Sequence, residues 1–138
     1  MMLRLGEQYL IRAEARAQLG KVSAAAEDLN VLRTRARAAQ SATITNPLPP
    51  ISTSLSQADM LSAVMSERQA ELFTEWGHRW LDLRRAGTID AVMSVVTPLK
   101  VTTTSTPNIW NSAYALYPIP QAEIDRSPLL NGQQNPGY

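Results

Sequence analysis

The sequence predicts a mainly α-helical protein, and two observations carry that prediction. Alanine and larger apolar residues recur at steps of three and four over residues 4 to 19, 25 to 36 and 57 to 86. Gly20 and Gly87 stand where the first and last of these stretches end, as glycines do at helix C-termini. We expect a helix hairpin, one long helix, and an irregular tail rich in Pro, Asn and Gly that wraps the helices.

The first two helices are predicted to form a tight antiparallel hairpin. Ala13 and Ala17 lie on one stripe of the first helix, and Ala25 begins the apolar stripe of the second. Residues 19 to 21 form the turn between them. Ser23 has the side chain of an N-cap, so the second helix is expected to start there.

The third periodic stretch predicts one helix from about residue 57 to residue 86. Ser56 is the expected N-cap, and Asp59 three residues later is a variant of the capping box. Gly77 lies in the middle of this stretch, where a glycine costs about 1 kcal/mol relative to alanine. We therefore expect Gly77 to mark either a kink or a close backbone neighbour.

The remaining chain is predicted to be largely irregular. Residues 40 to 55 and 97 to 113 are rich in Pro, Ser and Thr and are expected to be linkers or surface loops. Short helices are expected over residues 88 to 96 and 121 to 126. The tail is too poor in apolar residues to form a core of its own, so we expect it to cover the helical body.

Composition excludes several classes of function. The chain has 13 Lys and Arg against 12 Asp and Glu, so a net charge of +1 gives no strong field for nucleic acid. It has no cysteine, which excludes disulfides and thiol nucleophiles. It has no glycine-rich phosphate loop and no cluster of metal ligands, so neither a cofactor nor a metal is expected.

Residues 67 to 87 hold the densest polar chemistry. Glu67, Glu71 and Glu75 recur every four residues, and a pair such as Glu71 and Glu75 has the residue types of a glycoside hydrolase. Catalytic carboxylates usually face each other across a cleft, whereas these would lie along one helical ridge. We favour a structural ion-pair network with arginines of the same helix, Glu75 pairing with Arg79. The other arginines of that helix are Arg68, Arg84 and Arg85.

The aromatic and imidazole groups of this stretch are also interpreted as structural. Trp76 and Trp80 are four residues apart on an amphipathic helix and are expected in the core. His78 has no accompanying nucleophile, and Glu75 is its expected partner. The alternating arginines of residues 33 to 37 suit a helix C-terminus better than a phosphate site.

Trp110 is the one candidate for ligand contact. It lies in a polar loop beside Asn108 and Asn111, a combination that suits stacking on a sugar ring with hydrogen-bonding neighbours. The alternative is a loop anchor that packs into the helical body. We predict ligand binding at Trp110 and Asn108, and no catalytic residue.

Three stretches in order resemble the C-terminal part of the SusD/RagB family. They are "LRLGEQYLIRAEARAQLGK", "ERQAELFTEWGHRWLDLRRAG" and "LYPIPQAEIDRSPLLNGQQNPGY". Trp76 departs from the family pattern: either it is an extra residue between the motif's Glu and Gly, or it replaces that Glu and Glu75 is shifted by one place. The second stretch matches through Glu67, Arg68, Glu71, Leu72, Glu75, Gly77, Arg79, Trp80, Asp82, Leu83, Arg84 and Arg85. The third matches through Pro118, Ile119, Pro120, Glu123, Ile124, Pro128, Leu130, Gln134, Asn135, Pro136, Gly137 and Tyr138.

The resemblance implies a tetratricopeptide-like fold and a role in nutrient capture. Family members are surface lipoproteins of the Bacteroidetes outer membrane that bind glycans or other nutrient oligomers without catalysis. They deliver these ligands to a SusC-like TonB-dependent transporter. Residues 1 to 138 would then be one C-terminal domain from a longer protein, attached to the membrane only through a lipid anchor that this chain lacks.

Two other functions stay open at this stage. One is a freestanding helical-repeat module that binds proteins, and the other is a glycoside hydrolase that uses Glu71 and Glu75. The preferred interpretation expects the motif residues to be partly buried and engaged with other helices or with the tail at residues 117 to 120. This expectation applies to Glu67, Glu71, Arg79, Asp82 and Arg84.

Overall fold

The computed structural model describes residues 4–45, 47–100 and 108–138, which are mainly helical and contain no β-strand. The predicted fold class is therefore confirmed. The chain divides into two compact units, Met1–Arg79 and Trp80–Tyr138. The α-helices of the described residues are α1 (Leu5–Gln18), α2 (Val22–Ala36), α3 (Gln57–Glu71), α4 (His78–Arg85), α5 (Ile89–Val96) and α6 (Gln121–Arg126). Short 3-10 helices occupy Thr97–Leu99, Ser112–Ala115 and Pro128–Leu130.

Helices α1 and α2 form the predicted antiparallel hairpin. Arg16 near the end of α1 donates to the carbonyl of Ala24 near the start of α2. Ala13, Ala17 and Ala25 are completely buried at the contact between the helices. Because alanine side chains are short, the two backbones can approach closely along this seam.

The turn of the hairpin is made by Gly20. Its φ of +73° places it in the left-handed region. The N–H of Gly20 donates to Ala17 O at 3.0 Å, and the N–H of Lys21 donates to Arg16 O at 2.8 Å. These two bonds form a Schellman motif. The prediction of a Ser23 N-cap is wrong, because α2 already starts at Val22 and its N-cap residue, Lys21, makes no side-chain cap bond.

Helix α3 packs on the hairpin and completes the core of the first unit. Leu10, Leu29, Met60 and Val64 are the largest completely buried side chains, and they come from all three helices. This core is small and rich in alanine, so each contact removes less apolar surface from water than a leucine-lined contact would.

The connection between α2 and α3 is held by polar side chains. Asn30 of α2 accepts from the N–H of Ile51 at 2.7 Å and donates to its carbonyl at 3.0 Å. Ser56 accepts from the N–H of Asp59 at 3.1 Å, so the predicted N-cap of α3 is confirmed. The second half of the connection is therefore fixed, although its described residues form no regular helix.

The prediction of one helix from 57 to 86 is wrong in its middle. Helix α3 ends at Glu71 and α4 begins at His78. Between them Thr74, Trp76 and Gly77 have φ values of +61°, +44° and +71°, which a right-handed helix excludes. Gly77 has open space where a Cβ would lie, so its role is the backbone turn and not a close approach.

The second unit contains α5 and an irregular tail. Gly87 ends α4, as predicted, with a second Schellman motif: its N–H donates to Arg84 O at 3.1 Å and Thr88 N–H donates to Leu83 O at 3.0 Å. Helices α5 and α6 match the short helices predicted for residues 88 to 96 and 121 to 126.

Amide side chains tie the tail to itself. Gln134 accepts from the N–H of Ile119 at 2.8 Å and donates to its carbonyl at 3.0 Å. Asn135 donates to Tyr117 O at 2.6 Å. Pro118 lies between these anchored residues, and Pro120 is the N-cap residue of α6. Two expectations stay predictions: that the tail wraps the helical body, and that residues 1 to 138 form a single domain.

Replacing Gly77 tests the left-handed turn between α3 and α4. We expect Gly77→Ala to lower the free energy of unfolding by about 1 kcal/mol, because alanine tolerates a positive φ poorly. Gly77→Asn is the matched control and should lose less, since asparagine enters this region more readily. Chemical denaturation followed by circular dichroism measures both, and equal losses would contradict a left-handed residue here.

Candidate functional site

The glutamates of the polar stretch are paired with arginines of other helices. Arg33 of α2 donates to Glu67 of α3 at 2.7 Å, and each side chain is only 13% exposed. Arg33 also donates to Pro49 O at 2.8 Å. One arginine therefore joins α2, α3 and the connection between them.

Glu71, at the end of α3, binds two arginines. Arg35 of α2 donates to it at 2.6 Å, and Arg4 donates at 2.7 Å. Arg4 also donates to Glu75, so it bridges α3 and the segment that follows. Gly6 makes room for this arrangement, because a Cβ there would lie 2.8 Å from Glu71 Oε1. The ridge of acids is thus an ion-pair network, as predicted.

The partners in this network differ from those predicted. Arginines of the same stretch do not pair with the three glutamates in the contacts that the described residues make. Arg79 is half-buried and has no hydrogen bond or ion pair to any described residue. Arg85 pairs with Asp82 at 2.9 Å, and Asp82 is buried as expected. Arg84 was expected to be partly buried, but it lies on the outer face of α4 and is exposed. Arg68 of α3 is buried.

His78 contacts a different acid from the one predicted. Its Nε2 lies 3.8 Å from Glu7 Oε1 of α1, and both side chains are mostly buried. Glu75, the predicted partner, is held by Arg4. The pair with Glu7 is ionic only when the imidazole is protonated. The contact between His78 and Glu7 therefore places the start of α4 beside α1.

Sequence reasoning missed a second ion-pair cluster at Asp28. This residue of α2 is 2% exposed, yet it binds two arginines of α1. Arg12 donates through Nε at 3.1 Å and through Nη2 at 2.7 Å, and Arg16 donates at 2.8 Å. The hydrogen bond that Arg12 donates to Asp28 raises the pKa of Arg12 above its usual value. The signal was the four-residue spacing of two arginines, which places both on one helical face.

The two tryptophans of the motif have different environments. Trp76 was expected in the core but is 76% exposed, because the break after α3 removes it from the helical register. Trp80 is half-buried in the second unit, where its ring centroid lies 6.1 Å from that of Trp110 and 6.2 Å from that of Tyr117. Trp80 therefore packs among aromatic rings, but it is only half-buried and is not one of the buried core residues.

Trp110 joins an aromatic cluster of the second unit. Its ring lies 6.1 Å from Tyr114 in an edge-to-face arrangement, and its Nε1 donates to Asp90 of α5 at 2.7 Å. Asn108 is exposed and donates to Lys100 O at 2.8 Å. Ligand binding by Trp110 and Asn108 stays a prediction, and the cluster also suits the loop-anchor alternative.

The described residues form several concave surfaces. A shallow groove of about 370 Å³ runs along α1 beside Leu5 and Ile11. A cavity of about 270 Å³ lies at the corner between α3 and α4. A third, of about 460 Å³, lies against Leu81 and the last arginines of α4.

No group of three potential metal ligands occurs in the described part of the chain. None of its helices is long and apolar enough to span a membrane.

Comparison with known proteins identifies one family. A model described as the SusD family matches residues 1–138. No curated protein matches the chain, and no solved structure matches it.

The buried carboxylate of Asp28 gives a direct test of the ion-pair cluster that it forms with Arg12 and Arg16. Asp28→Asn should lower the free energy of unfolding by about 2 kcal/mol, because two guanidinium groups lose their charged partner. That value is below the usual loss for a fully buried pair, since Arg12 and Arg16 reach solvent. Glu27→Gln, on the next residue, is the control: Glu27 is exposed and should change stability by less than about 0.5 kcal/mol.

Urea denaturation at neutral pH measures both variants. Equal stability of the two would show that the Asp28 cluster does not hold α1 against α2.

Proposed function

Because the chain belongs to the SusD family, we propose that it forms part of a non-enzymatic protein that captures glycans or other nutrient oligomers. The family is a binding family, so the role proposed for this chain is ligand capture without turnover. Most of the residues that look reactive in the sequence would then serve as scaffold.

The proposal of a non-enzymatic function is carried by one observation: Glu71 and Glu75 are paired with arginines. A glycosidase needs two carboxyl groups that reach a sugar from opposite sides of a cleft. The Glu71 side chain is only 12% exposed and accepts from Arg4 and Arg35. Glu75 accepts from Arg4 as well. Both candidate catalytic carboxylates therefore accept from arginines of the same chain, which supports a structural role.

Aromatic side chains of the second unit support a glycan as the ligand. Tyr114 and Tyr117 are 44% and 70% exposed and contact the half-buried tryptophans 110 and 80. Sugar rings pack their C–H faces on aromatic rings of this kind. Asn108 is exposed nearby in sequence, and its side-chain oxygen can accept from a sugar hydroxyl. We propose that Trp110 and Asn108 belong to this contact surface.

The proposal extends to the partner and the location. By analogy with the family, the ligand would pass to a SusC-like TonB-dependent transporter at the surface of the outer membrane. A longer lipid-anchored protein would contain this chain as its C-terminal domain.

A helical-repeat module that binds proteins is the second candidate function. It is supported by the groove on α1, where Leu5 and Ile11 are 74% and 48% exposed. Exposed apolar side chains along one helix are typical of surfaces that dock another helix.

Binding to a panel of soluble polysaccharides, measured by isothermal titration calorimetry, tests the proposed function. The wild-type chain should bind at least one glycan without releasing reducing ends. Trp110→Ala should weaken that binding by about tenfold, which corresponds to about 1.4 kcal/mol. Ile109→Ala is the matched control, because Ile109 is the adjacent residue, is 84% exposed and lacks an aromatic ring.

Two results would contradict the proposal. One is the absence of binding to every glycan, together with binding of an amphipathic helical peptide to the groove on α1. The other is hydrolysis of a chromogenic glycoside that Glu71→Gln abolishes, which would restore the glycosidase interpretation.

A further inference from the structure

The corner between α3 and α4, residues 72–77, places large aromatic side chains in solvent. Phe73 is 73% exposed and Trp76 is 76% exposed. Large exposed aromatic side chains close together in sequence are typical of surfaces that bind a ligand or another protein.

The backbone of the corner is strained and yet fixed. Thr74 and Trp76 both have positive φ, which for residues other than glycine costs roughly 1–2 kcal/mol each. Glu75, between them, is held by Arg4. His78, just after them, lies beside Glu7. Strained residues that surrounding contacts hold in place are concentrated at binding and catalytic sites.

The corner encloses a cavity of about 270 Å³. Phe73 lines it with an apolar ring, whereas Trp76 lies outside the set of lining residues. The volume is somewhat below the roughly 300–1,000 Å³ of pockets for drug-sized ligands, so it suits a single ring. Its lining side chains that have no hydrogen-bond partner among the described residues are Gln69, Thr74 and Arg79.

The charge of this cavity is unbalanced. Arg79 is half-buried and has no carboxylate partner in the described part of the chain. Glu75, the acid that lines the same cavity, is neutralised by Arg4. The acid nearest His78 is Glu7. A guanidinium group in such a position favours a carboxylate, because its planar donors match the two carboxylate oxygens.

We propose that this cavity binds one uronic acid residue of an acidic glycan. The sugar ring packs on Phe73, its carboxylate accepts from Arg79, and its hydroxyl groups contact Gln69 and Thr74. This inference rests on the proposed function, since it names the class of glycan that the chain captures. It also adds a binding site distinct from Trp110.

Two forms of one polymer test the charge requirement. Polygalacturonate and its fully methyl-esterified form share the same sugar ring, but only the first carries carboxylates. The wild-type chain should bind polygalacturonate at least about tenfold more tightly than the ester, and added salt should reduce that preference.

Variants locate the site. Phe73→Ala should weaken binding of both polymers by about tenfold, because the stacking surface is lost. Arg79→Gln should remove the preference for the acid, and Arg79→Lys should restore part of it because it restores the charge. Trp76→Ala is the matched control: its ring is equally exposed but lies outside the cavity, so binding should stay within about twofold of wild type. Circular dichroism checks that each variant is folded.

Three outcomes would overturn the inference. If neutral glycans bind as tightly as polygalacturonate, the site is not selective for acids, although nutrient capture stands. If Trp110→Ala abolishes the acid preference while Phe73→Ala and Arg79→Gln retain it, the acidic sugar binds in the second unit. If the wild-type chain binds no glycan at all, both this inference and the proposed function fail.

Discussion

The architecture of the first unit depends on the pairing of α3 carboxylates with arginines of α2 and with Arg4, the residue before α1. Its apolar core is small and its helix contacts are lined by alanine, so buried surface alone fixes the three helices weakly. Arg33 and Glu67 lock α2 to α3, and Arg35 adds a second link through Glu71. The carboxylates of Glu67 and Glu71 are mostly buried. Their ion pairs are therefore stronger than pairs in which both side chains are exposed.

This constraint explains why the glutamates of the polar stretch do not form an open acidic cleft. Glu71 and Glu75 meet guanidinium groups instead of solvent. Because Glu75 is already held by Arg4, Arg79 has no acidic partner among the residues that the structure describes. Arg79, beside the exposed ring of Phe73, is the cation that the proposed acidic-sugar site uses.

Local signals predicted the ends of several helices. Gly20 and Gly87 end helices because glycine adopts the left-handed conformation that a Schellman motif needs. Ser56 caps α3 because its hydroxyl reaches a free N–H at the helix start. Each of these features involves residues within a few positions of one another, so the sequence alone contains the necessary information.

Features that join distant residues could not be predicted in this way. The apolar period continues through Leu72, Trp76 and Trp80, so it gave no sign of the helix break that puts Trp76 in solvent. Spacing along one helix also suggested that Glu75 pairs with Arg79. Its partner is Arg4, which is 71 residues earlier in the sequence. Helical periodicity defines which residues share a face, but not which helix packs against that face.

A double-mutant cycle between Arg33 and Glu67 tests the central claim most directly. The free energies of unfolding of Arg33→Gln, Glu67→Gln and the double variant give the coupling between the two side chains without their other interactions. Both side chains are 13% exposed, so the coupling should be about 1 kcal/mol or more. The same cycle on the exposed pair Arg126 and Glu123 should give only a few tenths of a kcal/mol. Equal, near-zero coupling for both pairs would contradict the claim that these arginines hold α3 in place.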